Sequence, residues 1–309
     1  MNQFTILNKQ EIQSILTMDM VIEAVEQAYS YKCSNLAELF PIVCHSFEDG
    51  VSEFDIKSGS MDGAGIFGMK LVSAFAGNSD LGLPRLTGTI LIFDRKTGML
   101  KSMMDGGLIT NMRTGAAGAV GCKYLARPES EVLLLVGTGA QGPVLLDATL
   151  KVMKNIKRIL VSNPHSPHKV PAFIDEIRPS IPADVDILPV QDLETAVRSA
   201  DIILTATPSR RALILDQWLK PGTHLSCIGS DMKGKQEQIL GRAKVFCDDL
   251  KQVVAVGECE KAVKQGILPV QHITEMGNVI LGLAEGRCDE SEITVFDSTG
   301  IGLQDLMVA

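Results

Sequence analysis

The stretch GIFGMKLVSAFAGN, residues 65–78, is apolar or small almost throughout and carries one charge, Lys70. An unpaired ammonium in such a segment is costly to bury, unless its pKa falls. Lys70 therefore either snorkels to solvent at a strand edge or has a chemical task. A second cation, Arg113, sits among very small residues in NMRTGAAGAV. Small neighbours leave room for a flat guanidinium to clamp an anion with two hydrogen bonds, although a solvent-facing helix residue would look the same. A third, Lys57, follows the alternating EFDI. Residues two apart on a strand share a face, so Asp55 and Lys57 point one way and Phe54 and Ile56 the other. Asp231, just beyond HLSCIG, is a candidate acid or base at the carboxyl end of a strand, or else an N-cap. These residues could fix a small carboxylate and move a proton beside it.

The strongest pattern is Gly137-Thr138-Gly139-Ala140-Gln141-Gly142, a complete GxGxxG after the apolar run EVLLLV. The first glycine permits a tight turn, the second lets backbone approach a pyrophosphate, and the third lets helix and strand pack closely. The helix N-terminus offers amide N–H groups to the phosphates. The next strand, KRILVS, should end at the adenosine ribose. Ser162-Asn163-Pro164-His165 supplies no carboxylate there to select NAD against NADP, and His165, His168 and Lys169 follow, so the reading leans to NADP. Thr205 and Thr207, after DIILTAT, are a further candidate cofactor edge.

The rhythm of the rest positions these groups. Residues 10–31 have apolar side chains at helical spacing, with Thr17 or Asp19 able to cap a second helix. SEFDIKS, IFGMKLVSAF and LTGTILIFD read as strands, and Asp94–Gly98 as a hairpin turn. A helix follows over about 108–125. Its glycines and alanines suit something packed very close, a ligand or another backbone. From 131 onward apolar strands alternate with helices, the signature of βαβ units and a parallel sheet. The last helix could return to the first domain.

The chain has 309 residues, a formal net charge of -8 and 45% hydrophobic residues, enough for two cored domains. The charge argues against nucleic acid, which calls for clustered Lys and Arg. Seven cysteines without a CxxC pair read as reduced thiols. No run resembles a signal peptide or a membrane span, so a cytoplasmic protein is expected, with no metal site.

GMKLVSAFAGN, DRKTG, NMRTGAAGAV, VGTGAQG, IGSDMKGKQE and the terminal FDSTGIGLQDL together resemble the ornithine cyclodeaminase and mu-crystallin family over nearly the whole chain. The resemblance implies an α/β protein with a Rossmann-type dinucleotide-binding domain over 119–289. It also implies an α+β substrate-binding and dimerisation domain from 1–118 with 290–309. NAD or NADP would be the cofactor, and a small amino acid or imino acid the substrate of a homodimer. It gives Lys70 the part of the active-site lysine, Arg113 that of the substrate-carboxylate ligand and Asp231 that of the group facing the amine. Asp297 and Gly300 match an end motif near the nicotinamide. The implied reaction is imine reduction or amino acid dehydrogenation. Ornithine cyclisation to proline with the cofactor recycled is an alternative, and a catalytically silent binding protein another. Where many members have a Pro-Pro-Arg-like segment, Phe40-Pro41-Ile42-Val43 lacks the arginine, and Lys57-Ser58 stands where Met-Pro is common. In these segments the chain looks more like the branch with iminosuccinate reductase and ectoine-degradation proteins. Lys57 could replace the missing cation from the adjacent strand.

Overall fold

The computed structural model describes residues 4–47, 51–207, 209, 212–229 and 237–309. It divides into two compact units, Met1–Arg113 with Ile301–Ala309, and Thr114–Gly300.

The first unit is a seven-stranded sheet with helices. Its path runs Thr5–Leu7, Leu100–Asp105, Leu86–Asp94, Ile66–Ala74, Glu53–Met61 and Ala37–Leu39, with Val43–Ser46 also paired to Glu53–Met61. The long central strands are antiparallel. The turn at 94–98 forms as its residues dictate. Asp94 Oδ1 accepts from the backbone N–H groups of Lys96 and Thr97, and Gly98 takes φ +70°. Residues 10–31 make two helices, Lys9–Ile15 and Met18–Cys33. Thr17 breaks the run by capping the second, its Oγ1 accepting from Met20 N at 3.3 Å. The last helix, Gly302–Val308, lies against the sheet where glycines make room. A Cβ on Gly59 would come within 2.9 Å of Leu303, and one on Gly68 within 2.9 Å of Leu306.

The second unit is an eight-stranded parallel sheet. Its order is Asp186–Pro189, Arg158–Ser162, Val132–Val136, Ile202–Thr205, His224–Ile228, Thr294–Ser298, Lys244–Cys247, Ile273–Glu275. From Val132–Val136 the chain first builds one side and then the other, which creates a switch point between Val132–Val136 and Ile202–Thr205. Apolar residues fill both faces. Leu133 and Leu135 belong to one core and Leu134 and Val136 to the other.

Two boundaries differ from expectation. Residues 290–300 belong with the parallel sheet, because Thr294–Ser298 is hydrogen-bonded between two of its inner strands. Residues 114–118 do too, because the glycines of helix Gly106–Leu125 pack there. A Cβ on Gly115 would meet Val144 O at 2.5 Å, and one on Gly121 would meet Phe296 at 2.6 Å. The small residues thus admit another part of the fold.

Candidate functional site

Strand pairing brings the predicted cations together. Lys57 lies directly opposite Lys70, and Ile90 lies on the other side of Lys70. Opposed residues in an antiparallel pair share a face a few ångströms apart, and like charges there repel. Their face is the one the terminal helix covers, since Gly59 and Gly68 alternate with them. Lys70 is 1% exposed, so it does not snorkel at an edge. Its Nζ lies 2.7 Å from Asp305 Oδ2. Arg113 is buried as well, its Nε donating to Asp305 Oδ1 at 3.0 Å and its Nη1 to Gln304 Oε1 at 3.3 Å. Gln304 Nε2 donates to Tyr29 Oη at 2.6 Å.

The electrostatics follow from this crowding. Burial lowers the Lys70 pKa most, Arg113 repels its charge further, and Lys57 adds to that. Asp305 opposes them, and the outcome is about 7. Burial alone would raise the Asp305 carboxyl, but Arg113, Lys70 and Lys57 overcome it and hold the group below its ordinary value. Near neutral pH the cluster pairs one firmly ionised carboxylate with an arginine and a lysine able to gain or lose a proton. Such a site can fix a small carboxylate and exchange a proton beside it.

Sequence reading missed Asp305, Gln304 and Tyr29. The signal was a polar pair, Gln304-Asp305, between Leu303 and Leu306 in a short helix, where all four side chains are buried.

In the second unit the GTGAQG segment has the form that a pyrophosphate requires. Gly137 ends its strand with φ +120°, and a Cβ there would meet Ala206 O at 2.2 Å. Gly142 is buried against Phe173, whereas Gly139 is exposed and a Cβ on it would enter open space. Helix Gln141–Val152 has no side-chain hydrogen bond at its N-cap, Ala140. Its first N–H groups thus suit an anion, and the residues present fit a dinucleotide. Thr138 Oγ1 accepts from Asn163 Nδ2 at 2.7 Å, tying the glycine-rich turn to the end of the next strand. Ser162 and Thr205 are buried, while Asn163 and Thr207 are half-buried at the strand ends.

Asp297, expected at the cofactor edge, is buried, and its Oδ2 accepts from Cys259 N at 3.0 Å at the start of helix Cys259–Lys264. Burial and then the Glu258 carboxylate push its own carboxyl up, against that hydrogen bond. Gly300 lies one turn further, where its N–H donates to Asp248 Oδ2 at 2.7 Å. Asp248 also accepts from Ser298 Oγ and Thr299 Oγ1, so one buried carboxylate shapes the 298–300 turn. Asp231 lies outside the described residues.

One unit thus carries a buried cluster of Lys70, Arg113 and Asp305, and the other a Rossmann-type parallel sheet with a glycine-rich turn. The chain belongs to the ornithine cyclodeaminase/mu-crystallin family, whose model matches residues 3–309. It is 36% identical to an alanine dehydrogenase of Archaeoglobus fulgidus over 98% of this chain and 92% of that one. It is 31% identical to an iminosuccinate reductase of Paracoccus denitrificans over 98% and 94%. An archaeal alanine dehydrogenase dimer with bound NAD superposes with a TM-score of 0.90 at 32% identity, over 99% and 93%. Among the described residues no helix is long and apolar enough to cross a membrane.

Proposed function

We propose that this protein is an NAD(P)-dependent oxidoreductase that moves a hydride between the nicotinamide and the α-carbon of a small L-amino acid or its imine. The observation that carries this reading is the buried Lys70–Asp305–Arg113 cluster with Lys57 directly across the sheet. One carboxylate faces three cations, an arrangement that suits an anionic ligand. Gly137–Gly142 would hold the dinucleotide, whose nicotinamide would supply the hydride chemistry. Arg113 grips the substrate carboxylate, Lys57 adds charge beside it, and Lys70 exchanges a proton with the substrate's polar end. Asp231 is proposed to orient the amine. The exposed His165, His168 and Lys169, with no carboxylate at Ser162-Asn163, favour NADP(H) at the ribose.

The test is a panel of small amino acids, and of 2-oxo acids with ammonia or methylamine, run with both cofactors. Substrate-dependent change in reduced-nicotinamide absorbance is expected. Ornithine giving proline and ammonia with no net absorbance change would replace this reading with cyclodeamination. Substitution of Lys57 by Met is expected to raise KM about tenfold, the worth of one charge-assisted contact, with little change in kcat. An unchanged KM removes Lys57 from the site.

The same proposal includes a homodimer through the open face of the seven-stranded sheet. Phe67, Met69, Leu71, Leu91 and Phe93 stand there half-exposed, Phe67 and Phe93 stacked with centroids 5.0 Å apart. An apolar sheet face of this kind suits a partner sheet. Phe93→Glu is expected to halve the mass measured by light scattering. A monomeric wild type, or a dimeric variant, contradicts this assembly.

A further inference from the structure

We propose that Asp305, on the terminal helix, is the positioning residue of the anion site. Its one carboxylate, divided between Lys70 and Arg113, holds both cations in the geometry that receives a substrate carboxylate. The inference rests on the oxidoreductase reading above and assigns the element that makes that site work.

The geometry is specific. The two Asp305 oxygens are used separately, Oδ2 toward Lys70 Nζ and Oδ1 toward Arg113 Nε. Gln304, its neighbour in the chain, accepts from Arg113 Nη1 and from Ile301 N, and donates to Tyr29. The guanidinium is thus held through Nε and Nη1, and Nη2 makes no hydrogen bond among the described residues. That leaves the two Nη2 N–H groups for a substrate oxygen, aimed by bonds on the other edge. Asp305 is 0% exposed and itself makes no contact with solvent, so its effect passes through the two cations.

The charges around Lys70 show why a carboxylate is required. Strand Glu53–Met61 presents Lys57 and helix Gly106–Leu125 presents Arg113. Strand Leu86–Asp94 presents the neutral Ile90, and among the described residues only helix Gly302–Val308 presents an anion. Without Asp305, the described charges facing Lys70 would all be positive. The ammonium would then lose its proton more readily, and the two cations would be free to move apart.

The experiment is a titration of lysine side chains by carbon-13 NMR, with the Lys70 signal identified by its loss in Lys70→Arg. It is run on wild type, Asp305→Asn and Asp305→Glu, with kcat/KM measured on the best substrate of the panel. In Asp305→Asn the Lys70 midpoint is expected to fall by about one pH unit or more. The same variant is expected to lose about a hundredfold in kcat/KM. Asp305→Glu keeps the charge but displaces it by a methylene. It should hold the Lys70 midpoint near the wild-type value and lose about tenfold in kcat/KM. An unmoved midpoint in Asp305→Asn overturns the inference, as does wild-type kcat/KM in either variant. Should Asp305→Asn fail to fold, Asp305→Glu decides the matter through kcat/KM alone. If the wild type turns over nothing in the panel, the oxidoreductase reading fails, while the titration still decides whether Asp305 governs Lys70.

Discussion

Lys70→Ala is expected to lose about three orders of magnitude in kcat/KM, the scale of a lost proton-transfer group and carboxylate ligand together, while dinucleotide affinity stays unchanged. Binding of the cofactor should survive because the cradle at Gly137–Gly142 belongs to the other compact unit. The fold should survive because Asp305 keeps Arg113 as its partner. Removing a buried ammonium also removes its desolvation cost. The pH dependence separates Lys70 from a passive filler. With its pKa at about 7, the ammonium is present below that pH and lost above it. Imine reduction consumes a proton, so kcat/KM in that direction should fall as pH rises through the Lys70 limb. Amino acid oxidation releases a proton, so in that direction it should rise. Near-normal activity in Lys70→Ala, measured by steady-state kinetics, would demote the residue to a structural role.

The glycines of the cradle give the second large effect, and two of them should fail differently. Gly137→Ala forces a side chain into a backbone at φ +120° and against Ala206 O. It is expected to cost roughly 2–4 kcal/mol of stability as well as cofactor binding. Gly139→Ala adds a methyl group in open space, so its melting temperature should match the wild type. Its dinucleotide Kd should nevertheless rise about a hundredfold, because that open space is where the pyrophosphate must come close. Calorimetric titration with both dinucleotides, beside thermal melts, checks the pair. Equal Kd values for Gly139→Ala and wild type would remove the phosphate from this loop.

Much of this protein was legible in its residues because local chemistry fixes local structure. The apolar run before Gly137 and the three glycines after it could hardly form anything but a strand, a tight turn and a close-packed helix. Alternation in EFDIKSG correctly put Asp55 and Lys57 on one face. The register between strands was another matter. That Lys57 meets Lys70 depends on the turn Asp62–Ala64 and Gly65, whose length sets which residues oppose one another. The counter-ion was less legible still. Asp305 reaches Arg113 across 192 positions in sequence, and no periodicity spans that distance. The surroundings of Asp297 are hidden in the sequence for a related reason. A carboxylate in the last turn of a parallel strand looks the same in sequence whether it faces a ligand or, as here, the N–H of Cys259. The boundary near 290 failed likewise, since a strand inserted between two earlier ones carries no mark of its neighbours.

The central claim is that hydride passes directly between the nicotinamide and the α-carbon of a substrate whose carboxylate is held at Lys70 and Arg113. The most direct measurement uses reduced dinucleotide carrying deuterium at the transferable ring position, with the amino acid product analysed by mass spectrometry and proton NMR. One deuterium on the α-carbon is predicted, with the yield collapsing in Lys70→Ala. Product whose α-carbon carries only solvent-derived hydrogen would contradict the account.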